Sequence, residues 1–293
     1  MKKTSIVFIA TVLLLSCLVM PMATSAAVKT TKTSGAYAAT ASSLNVRSGP
    51  GTTYKKLGTL HKGDIVHVNA KTKSGWYRFK YKNKHAYASG SYLRKVSSTA
   101  KEIAKTKTAK KANQIVAVVA TGSKAYVEYW VKKSNGKWSR SFLTKGHVGS
   151  KGVGKAKEGL SKTPQGSYKL GYAFGTSNPG TKKKFRKITE KSYWISNVKD
   201  AKYNTWQERK KSNKADEHLI DYPTSYQYGI VINYNTAKPK KGAGSAFFLH
   251  VDNGKPTGGC VSIPKAKMKK LMVSLKNKSH IIQMSNQKQL KSY

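Results

Sequence analysis

Short apolar runs separated by Gly, Pro and polar residues dominate the chain after its first 27 residues, and this pattern predicts β-structure. In the first half of the chain the runs occupy residues 44–46, 56–60, 65–68, 76–81 and 85–88. Such short, evenly spaced strands are typical of a small β-barrel.

A second series of strands is predicted after residue 113. They occupy residues 114–120, 125–131, 138–143, 168–174, 229–234, 246–251 and 280–284. Ser134-Asn135-Gly136-Lys137 favours a tight hairpin between the second and third of these strands. The clearest helix starts at Pro264, where a proline is favoured, and it places four apolar residues on one face: Met268, Leu271, Met272 and Leu275. The sequence therefore predicts a mainly β chain with a small barrel, a sheet-dominated second domain and few helices.

The segments outside these domains are polar or resemble export signals. Residues 97–113 are small and basic, which predicts a linker or a marginal helix that buries little, and residues 28–37 are expected to be disordered.

Two lysines, an apolar run at residues 6–15 and small residues up to Ala27 predict a signal peptide over residues 1–27. That run is shorter than the roughly 20 residues of a membrane span, so no transmembrane anchor is expected. As an alternative, Cys17 lies in a loose lipoprotein cleavage box and would carry lipid.

The charge of the chain predicts an anionic partner. Lys and Arg number 56 against 11 Asp and Glu, giving a formal net charge of +45. Export removes most access to nucleic acid, so no specific nucleic-acid partner is expected. Anionic wall polymers such as teichoic acid, and peptidoglycan itself, are the expected partners of a secreted, wall-associated protein. A solvated lysine surface that only maintains solubility is the alternative for any single lysine.

Residues 38–96 resemble the bacterial SH3-like domain along their whole length. The resemblance lies in Leu44-Asn45-Val46-Arg47-Ser48-Gly49-Pro50-Gly51, Gly63-Asp64, Gly75-Trp76-Tyr77 and Ser91-Tyr92-Leu93. It implies recognition of peptidoglycan peptides or glycan, without chemistry of its own.

Cys260 is the one thiol left after cleavage near Ala27, and it is inert, bridged to another chain, or reactive. His250 ends an apolar strand ten residues earlier, and Gly258 and Gly259 leave room for a carbonyl group beside the thiol. A free thiol titrates near pH ~8.5, so we expect the imidazole to favour the thiolate at neutral pH. The amides of Gly259 and Cys260 are the expected oxyanion donors.

Residues 114–285 resemble the catalytic domain of L,D-transpeptidases. The resemblance lies in the turn Lys162-Thr163-Pro164-Gln165-Gly166 and in the segment of residues 250–263. It implies a Cys260 nucleophile and a His250 base that is oriented by the main-chain carbonyl of Val251. Asp252 is an alternative orienting group, or simply a turn residue. Gly258 and Ser262 stand where the family has a His and an Arg, which leaves the substrate preference open.

Further substrate contacts are expected around this pair. Thr257 and Ser262 flank the thiol, and residues 176–227 form an insertion that contains Trp194 and Tyr203. This insertion is either a lid over the site or a surface excursion with its own small core. His218 lies in the densest acidic cluster, which either attracts an acceptor amine or pairs with lysines. No histidine or cysteine spacing indicates a metal, and no cofactor is expected.

The export signal, together with the resemblance to L,D-transpeptidases, therefore implies an exported cysteine L,D-transpeptidase. It would cleave the amide before the terminal D-alanine of a peptidoglycan tetrapeptide stem and transfer the acyl group to an amine of another stem. The alternatives are an L,D-carboxypeptidase that uses water as the acceptor, and a non-catalytic cell-wall-binding protein.

Overall fold

A computed structural model describes residues 28–293, so the predicted signal peptide and Cys17 lie outside the described residues. The described chain is mainly β, which confirms the predicted fold class: a small SH3-like barrel precedes a larger sheet-rich domain. In this described part, no helix is long and apolar enough to cross a membrane.

The first sheet has seven strands in the order β3-β2-β6-β5-β4-β1-β7. They are β1 (Thr30–Ala39), β2 (Ser43–Arg47), β3 (Lys56–His61), β4 (Ile65–Thr72), β5 (Trp76–Tyr81), β6 (Lys84–Ser89) and β7 (Leu93–Lys95). Alternate side chains of these strands, such as Val46, Val68 and Phe79, are buried together in one core.

The expected disorder of residues 28–37 is wrong. Strand β1 begins at Thr30 and pairs antiparallel with β4, from Thr30 opposite Thr72 to Ala38 opposite Ile65. Its end also pairs with β7 and buries Tyr37. Because the neighbouring strands satisfy the backbone hydrogen bonds of β1, a polar sequence with few apolar side chains is ordered here.

The predicted linker, residues 97–113, contains two one-turn helices, α1 (Ala100–Ala104) and α2 (Lys107–Lys111). Thr99 and Glu102 form a capping box at the start of α1. The expectation that this segment buries little is wrong at Ile103, which is fully buried against the larger domain together with Ala109.

The larger domain is a β-barrel. Its sheet has the order β14-β13-β18-β19-β20-β10-β9-β8-β21, and β13 also pairs with β21, so that eight strands close on themselves. The strands are β8 (Gln114–Thr121), β9 (Lys124–Lys132), β10 (Trp138–His147), β13 (Gly166–Gly175), β14 (Phe185–Lys187), β18 (Gly229–Ile232), β19 (Phe248–Val251), β20 (Val261–Ile263) and β21 (Ser279–Met284). Between β10 and β13, the short strands β11 (Val153–Gly154) and β12 (Thr163–Pro164) pair in parallel.

Helix α3 (Lys265–Ser274) closes the interior of this barrel. Pro264 is its N-cap, and Met268, Leu271 and Met272 are buried in the same interior core as Leu249 of β19. The helix therefore holds the end of β20, the strand that directly follows the candidate thiol.

The insertion, residues 176–227, covers part of the outer face of the barrel. After β14, its strands β15 (Ser192–Trp194), β16 (Trp206–Glu208) and β17 (Glu217–His218) form a three-stranded sheet. Trp194 and Trp206 pack with Phe174 of β13 and Phe248 of β19 in a second core outside the barrel. The insertion therefore has its own small core and also covers a barrel face, which combines the two predicted alternatives.

Candidate active site

The barrel places Cys260 and His250 on neighbouring parallel strands. In the register of β19 and β20, Leu249 lies opposite Val261 and His250 opposite Ser262, so Cys260, just before β20, lies beside Phe248. The backbone N–H of Phe248 donates to the Cys260 sulfur at 3.3 Å, and the thiol donates to the Ala246 carbonyl at 3.2 Å. Because alternate residues of a strand share a face, Phe248 and His250 project on the same side as the sulfur. Strand spacing and rise put the Cα atoms of Cys260 and His250 about 8 Å apart.

A main-chain carbonyl fixes the His250 imidazole. Its Nδ1 lies 2.8 Å from the Val251 carbonyl oxygen. A carbonyl oxygen only accepts hydrogen bonds, so Nδ1 carries the proton and the lone pair is on Nε2. His250 is buried, and this burial lowers the pKa of His250 to about 4 against the opposing effects of the Val251 carbonyl and the Asp252 charge. The imidazole is therefore neutral at pH 7, as a general base requires.

The Cys260 thiol is also neutral in this conformation. The residue is 7% exposed. Burial is the largest cause that raises the pKa of Cys260 far above that of a free thiol, and the charge of Glu217 raises it further. The Phe248 amide and the Tyr226 hydroxyl oppose this shift without overcoming it. The expectation of a thiolate at neutral pH is therefore wrong for this closed arrangement, because the insertion excludes the water that would solvate the anion.

Tyr226 connects the thiol, the imidazole and the insertion. Its ring packs edge-to-face on His250, with ring centroids 5.5 Å apart, and it is buried beside Phe248. Its hydroxyl donates to the carboxyl of Glu217, and it acts to lower the pKa of the Cys260 thiol. Burial raises the pKa of Glu217 to about 7. Sequence reasoning missed both residues, because neither lies in a motif and the acidic cluster was singled out for His218 instead.

The structure gives His218 a position away from the thiol. Successive residues of β17 project to opposite sides, and it is Glu217 that faces Tyr226. The His218 ring stacks on Tyr193 at 4.3 Å, with Nε2 2.7 Å from the Glu190 carbonyl and Nδ1 3.1 Å from Asp221. The predicted role of His218 in substrate binding is therefore wrong for this conformation.

Trp194 and Tyr203 are also not placed to contact a substrate. Trp194 is 3% exposed and packs edge-to-face on Phe248, with ring centroids 4.9 Å apart. Its indole donates to Asn204 at 2.9 Å. Tyr203 is 2% exposed and donates to Glu158. Trp194 covers Phe248, and Tyr203 ties the insertion to Glu158 and to the Gly244 amide, so the predicted direct contacts are corrected to structural ones.

Two threonines fix the loop that carries the thiol. The Thr257 hydroxyl donates to the Cys260 carbonyl at 2.7 Å and accepts from the Gly259 amide at 3.1 Å. The Thr163 hydroxyl, fully buried, donates to the Gly259 carbonyl at 2.7 Å and accepts from the Gly149 amide at 2.9 Å. In the sequence Thr163 is marked only by its turn motif, whereas in the structure it anchors the cysteine loop.

Of the two amides expected as oxyanion donors, those of Gly259 and Cys260, the structure leaves only the Cys260 amide available. Because Thr257 engages the Gly259 amide, the expected donor role of Gly259 is wrong for this conformation. Within residues 28–293, nothing accepts a hydrogen bond from the amide of Cys260. Gly259 has φ +149°, and a Cβ there would lie 2.5 Å from the Phe247 ring, whereas a Cβ on Gly258 would meet no atom within 4 Å. Close packing therefore requires glycine at position 259 and not at 258.

Ser262 is buried away from any substrate. It is fully inaccessible, and its hydroxyl donates to Asp252 at 2.9 Å. The same carboxylate oxygen lies 2.9 Å from Nδ1 of His147. The predicted substrate contact of Ser262 is therefore wrong: in place of the arginine of the resembling family, this chain has a small hydroxyl that ties β20 to Asp252. In the described residues, no group of three or more His, Cys, Asp or Glu side chains could hold a metal ion.

Comparisons with known proteins identify the family of the first domain. The bacterial SH3 domain family matches residues 42–94, which confirms the predicted SH3-like domain. The cell wall-binding protein YwsB of Bacillus subtilis (strain 168) is 30% identical over 125 residues, covering 42% of this chain and 70% of that protein. This chain belongs to the YwsB family. The likeness to YwsB extends over those 125 residues.

Solved structures give a weaker likeness. The helical cell shape determining protein Pgp2 of Campylobacter jejuni is 17% identical, with a TM-score of 0.33, over 59% of this chain and 47% of that one. A mutant form of the same protein gives 15% identity and a TM-score of 0.32. The chain spans about half the length of these solved structures. TM-scores this low do not establish a shared fold.

Proposed function

We propose that this protein is a cysteine L,D-transpeptidase of the bacterial cell wall, with the SH3 domain holding it to the wall. The observation that carries the proposal is the placement of Cys260 and His250 on one face of adjacent parallel strands, with the Val251 carbonyl holding Nδ1 so that the Nε2 lone pair is free. A nucleophile, a base and a group that orients the base are the parts of an acyl-transfer site.

Acylation would start from a neutral pair. Nε2 of His250 takes the thiol proton as Sγ attacks the carbonyl carbon of the third stem residue. The amide of Cys260 donates to the oxyanion, and such a donor is worth about 3–4 kcal/mol. The C–N bond to D-alanine then breaks, the leaving nitrogen takes the proton from the imidazolium, and a thioester on Cys260 remains.

Deacylation would return the enzyme to its starting state. The side-chain amine of a second stem attacks the thioester, His250 accepts its proton and passes it to the departing sulfur, and an amide links the two stems. Water in place of the amine gives a free carboxylate, which is the carboxypeptidase alternative. Because Cys260 is buried beneath Phe248, Trp194 and Tyr226, the insertion has to move before either substrate reaches the sulfur.

The test is a product assay. Wild-type protein incubated with disaccharide-tetrapeptide is expected to release D-alanine and to form a cross-linked dimer or a tripeptide, detected by mass spectrometry. The Cys260→Ala variant should form none of these. The proposal fails if wild type yields no product, or if the variant retains the activity.

The second candidate function is wall binding without catalysis. The buried thiol with its raised pKa favours it, and the related B. subtilis protein is a cell wall-binding protein. Sedimentation with purified cell wall that survives Cys260→Ala, together with a thiol that iodoacetamide does not modify, would support it over the transpeptidase. The two proposals share secretion and wall attachment and differ only in the chemistry of Cys260.

A further inference from the structure

A basic groove lies on the outer face of β13, beside the insertion, and Cys260 is not among its lining residues. It has a volume of about 560 Å³. Four cations line it, Lys169, Lys183, Lys184 and Arg186, whereas no acidic residue of the described chain does. The rings of Tyr172 and Trp206 supply apolar surface beside them.

The lysines of this groove have no anionic partner. In the described part of the chain, no carboxylate lies within salt-bridge distance of Lys169, Lys183 or Lys184, and Lys183 donates only weakly, to the Lys276 carbonyl at 3.4 Å and to Ser279 at 3.3 Å. Burial and then the charge of Lys169 lower the pKa of Lys183. Like charges held this close cost free energy unless an anion joins them.

His280 supplies an independent observation next to these lysines. It is the cross-strand partner of Lys169 in the pairing of β13 with β21. It is 9% exposed, and its Nδ1 is buried without a hydrogen-bond partner among the described residues. Burial and then the charges of Lys111, Lys169 and Lys183 lower the pKa of His280. A buried polar atom without a partner next to unpaired cations is typical of a ligand site rather than of a solvated surface.

The side-chain types of the groove cations indicate which anionic group the groove binds. A planar carboxylate is recognised best by the fork of an arginine, but Arg186 already lies 4.6 Å from the centre of the Trp206 ring and 3.6 Å from Glu208. The three remaining cations are lysines, which bind phosphate as point charges. We propose that this groove binds the phosphodiester backbone of an anionic polymer, with Lys169, Lys183 and Lys184 each neutralising phosphate oxygens.

This site is independent of the thiol chemistry. It uses no residue of the Cys260 loop, so Cys260→Ala should bind the polymer as wild type does, and failure of one proposal leaves the other standing. It also differs from the SH3 domain as a wall contact, because its ligand is a phosphate chain rather than a peptide or a glycan.

The test is calorimetric titration of the full chain with an oligomer of glycerol phosphate. Replacing Lys169, Lys183 and Lys184 together by Ala should weaken binding about tenfold. The matched control replaces Lys210, Lys211 and Lys214, three exposed lysines of the insertion outside the groove, and should change binding less than about twofold. A third variant with Arg at the three groove positions keeps the charge, and it should also keep binding if the protein folds.

Two results would overturn the proposal. Equal weakening in the groove variant and in the control means that total charge, rather than this groove, holds the polymer. Tight binding of a stem tetrapeptide to Cys260→Ala that the three groove Lys→Ala substitutions abolish, and that the glycerol phosphate oligomer does not displace, means that the groove takes carboxylates. Circular dichroism of each variant checks folding, and the Arg variant keeps the test valid should the Ala variant unfold.

Discussion

Tyr226 donates its hydroxyl hydrogen bond to Glu217 while its ring packs edge-to-face on His250. The charge of Glu217 is the second cause, after burial, that raises the pKa of the Cys260 thiol. The insertion thereby restrains the nucleophile in two ways: it covers the sulfur, and it places a carboxylate near it.

Glu217→Gln should release part of this restraint. The pKa of Glu217 is raised to about 7, so the effect should appear above that pH, where the wild-type carboxyl is charged. Removing the charge lowers the thiol pKa, and each unit is worth a tenfold change in thiolate, so alkylation by iodoacetamide should speed up several-fold. The control is Glu190→Gln, the same change on an exposed residue of the insertion. An unchanged rate at pH 8 would show that Glu217 does not influence the thiol.

The two glycines before Cys260 should respond differently to alanine. Gly259→Ala places a Cβ against Phe247 at a φ that alanine rarely adopts, and should cost about 1–3 kcal/mol of unfolding free energy. Gly258→Ala meets open space and should change stability by less than about 0.5 kcal/mol. Urea denaturation measures both. Equal losses would mean that the loop is not packed as described.

Thr163 should be essential to the geometry of the cysteine loop. Thr163→Val preserves the shape but leaves the Gly149 amide and the Gly259 carbonyl without their shared buried partner, which costs about 1–3 kcal/mol. Thr163→Ser keeps the hydroxyl and should lose less. Thermal melting of the two variants decides between this role and simple packing. If Thr163 only fills space, the Val variant should be tolerated better than the Ser variant.

The strands were predictable because each is a short apolar run bounded by Gly, Pro or polar residues. Strand β1 was missed because its first residues, rich in Thr and Lys, form no such run, and it is ordered by pairing with β4. Cys260, His250 and Val251 could be proposed together because a local motif names them. Tyr226 and Glu217 could not, since they meet the thiol only through the fold of the insertion.

The expectation that Cys260 is a thiolate at neutral pH was wrong for the same reason. From sequence, a histidine near a cysteine favours the thiolate, but burial favours the neutral form of both groups. Which effect dominates depends on how deeply Trp194 and Phe248 cover the sulfur, and that depth is a property of the tertiary structure. Ser262 was misplaced likewise, because its partner Asp252 is fixed only by the sheet.

His250 should make stability depend on pH. Its pKa is about 4 in the folded state and near ~6.5 in the unfolded state, so the unfolded state binds more protons between these values. Stability conferred by the neutral imidazole is therefore complete above pH ~6.5 and falls by up to about 3 kcal/mol as the pH drops to 4. Glu217 makes the unfolding free energy change with pH in the opposite direction. The informative quantity is therefore the difference in unfolding free energy between wild type and His250→Gln, measured by urea denaturation from pH 4 to 7. A difference that does not change with pH would contradict the buried neutral imidazole.

The central claim, that Cys260 is an acyl-accepting nucleophile, is tested most directly by trapping its thioester. The protein is incubated with tetrapeptide stem, quenched rapidly in acid, digested and mapped by mass spectrometry. The account predicts that the peptide containing Cys260 gains the mass of the tripeptide acyl group in wild type, and that this adduct is absent from Cys260→Ala. An adduct on any other residue, or D-alanine released without passing through Cys260, would contradict it.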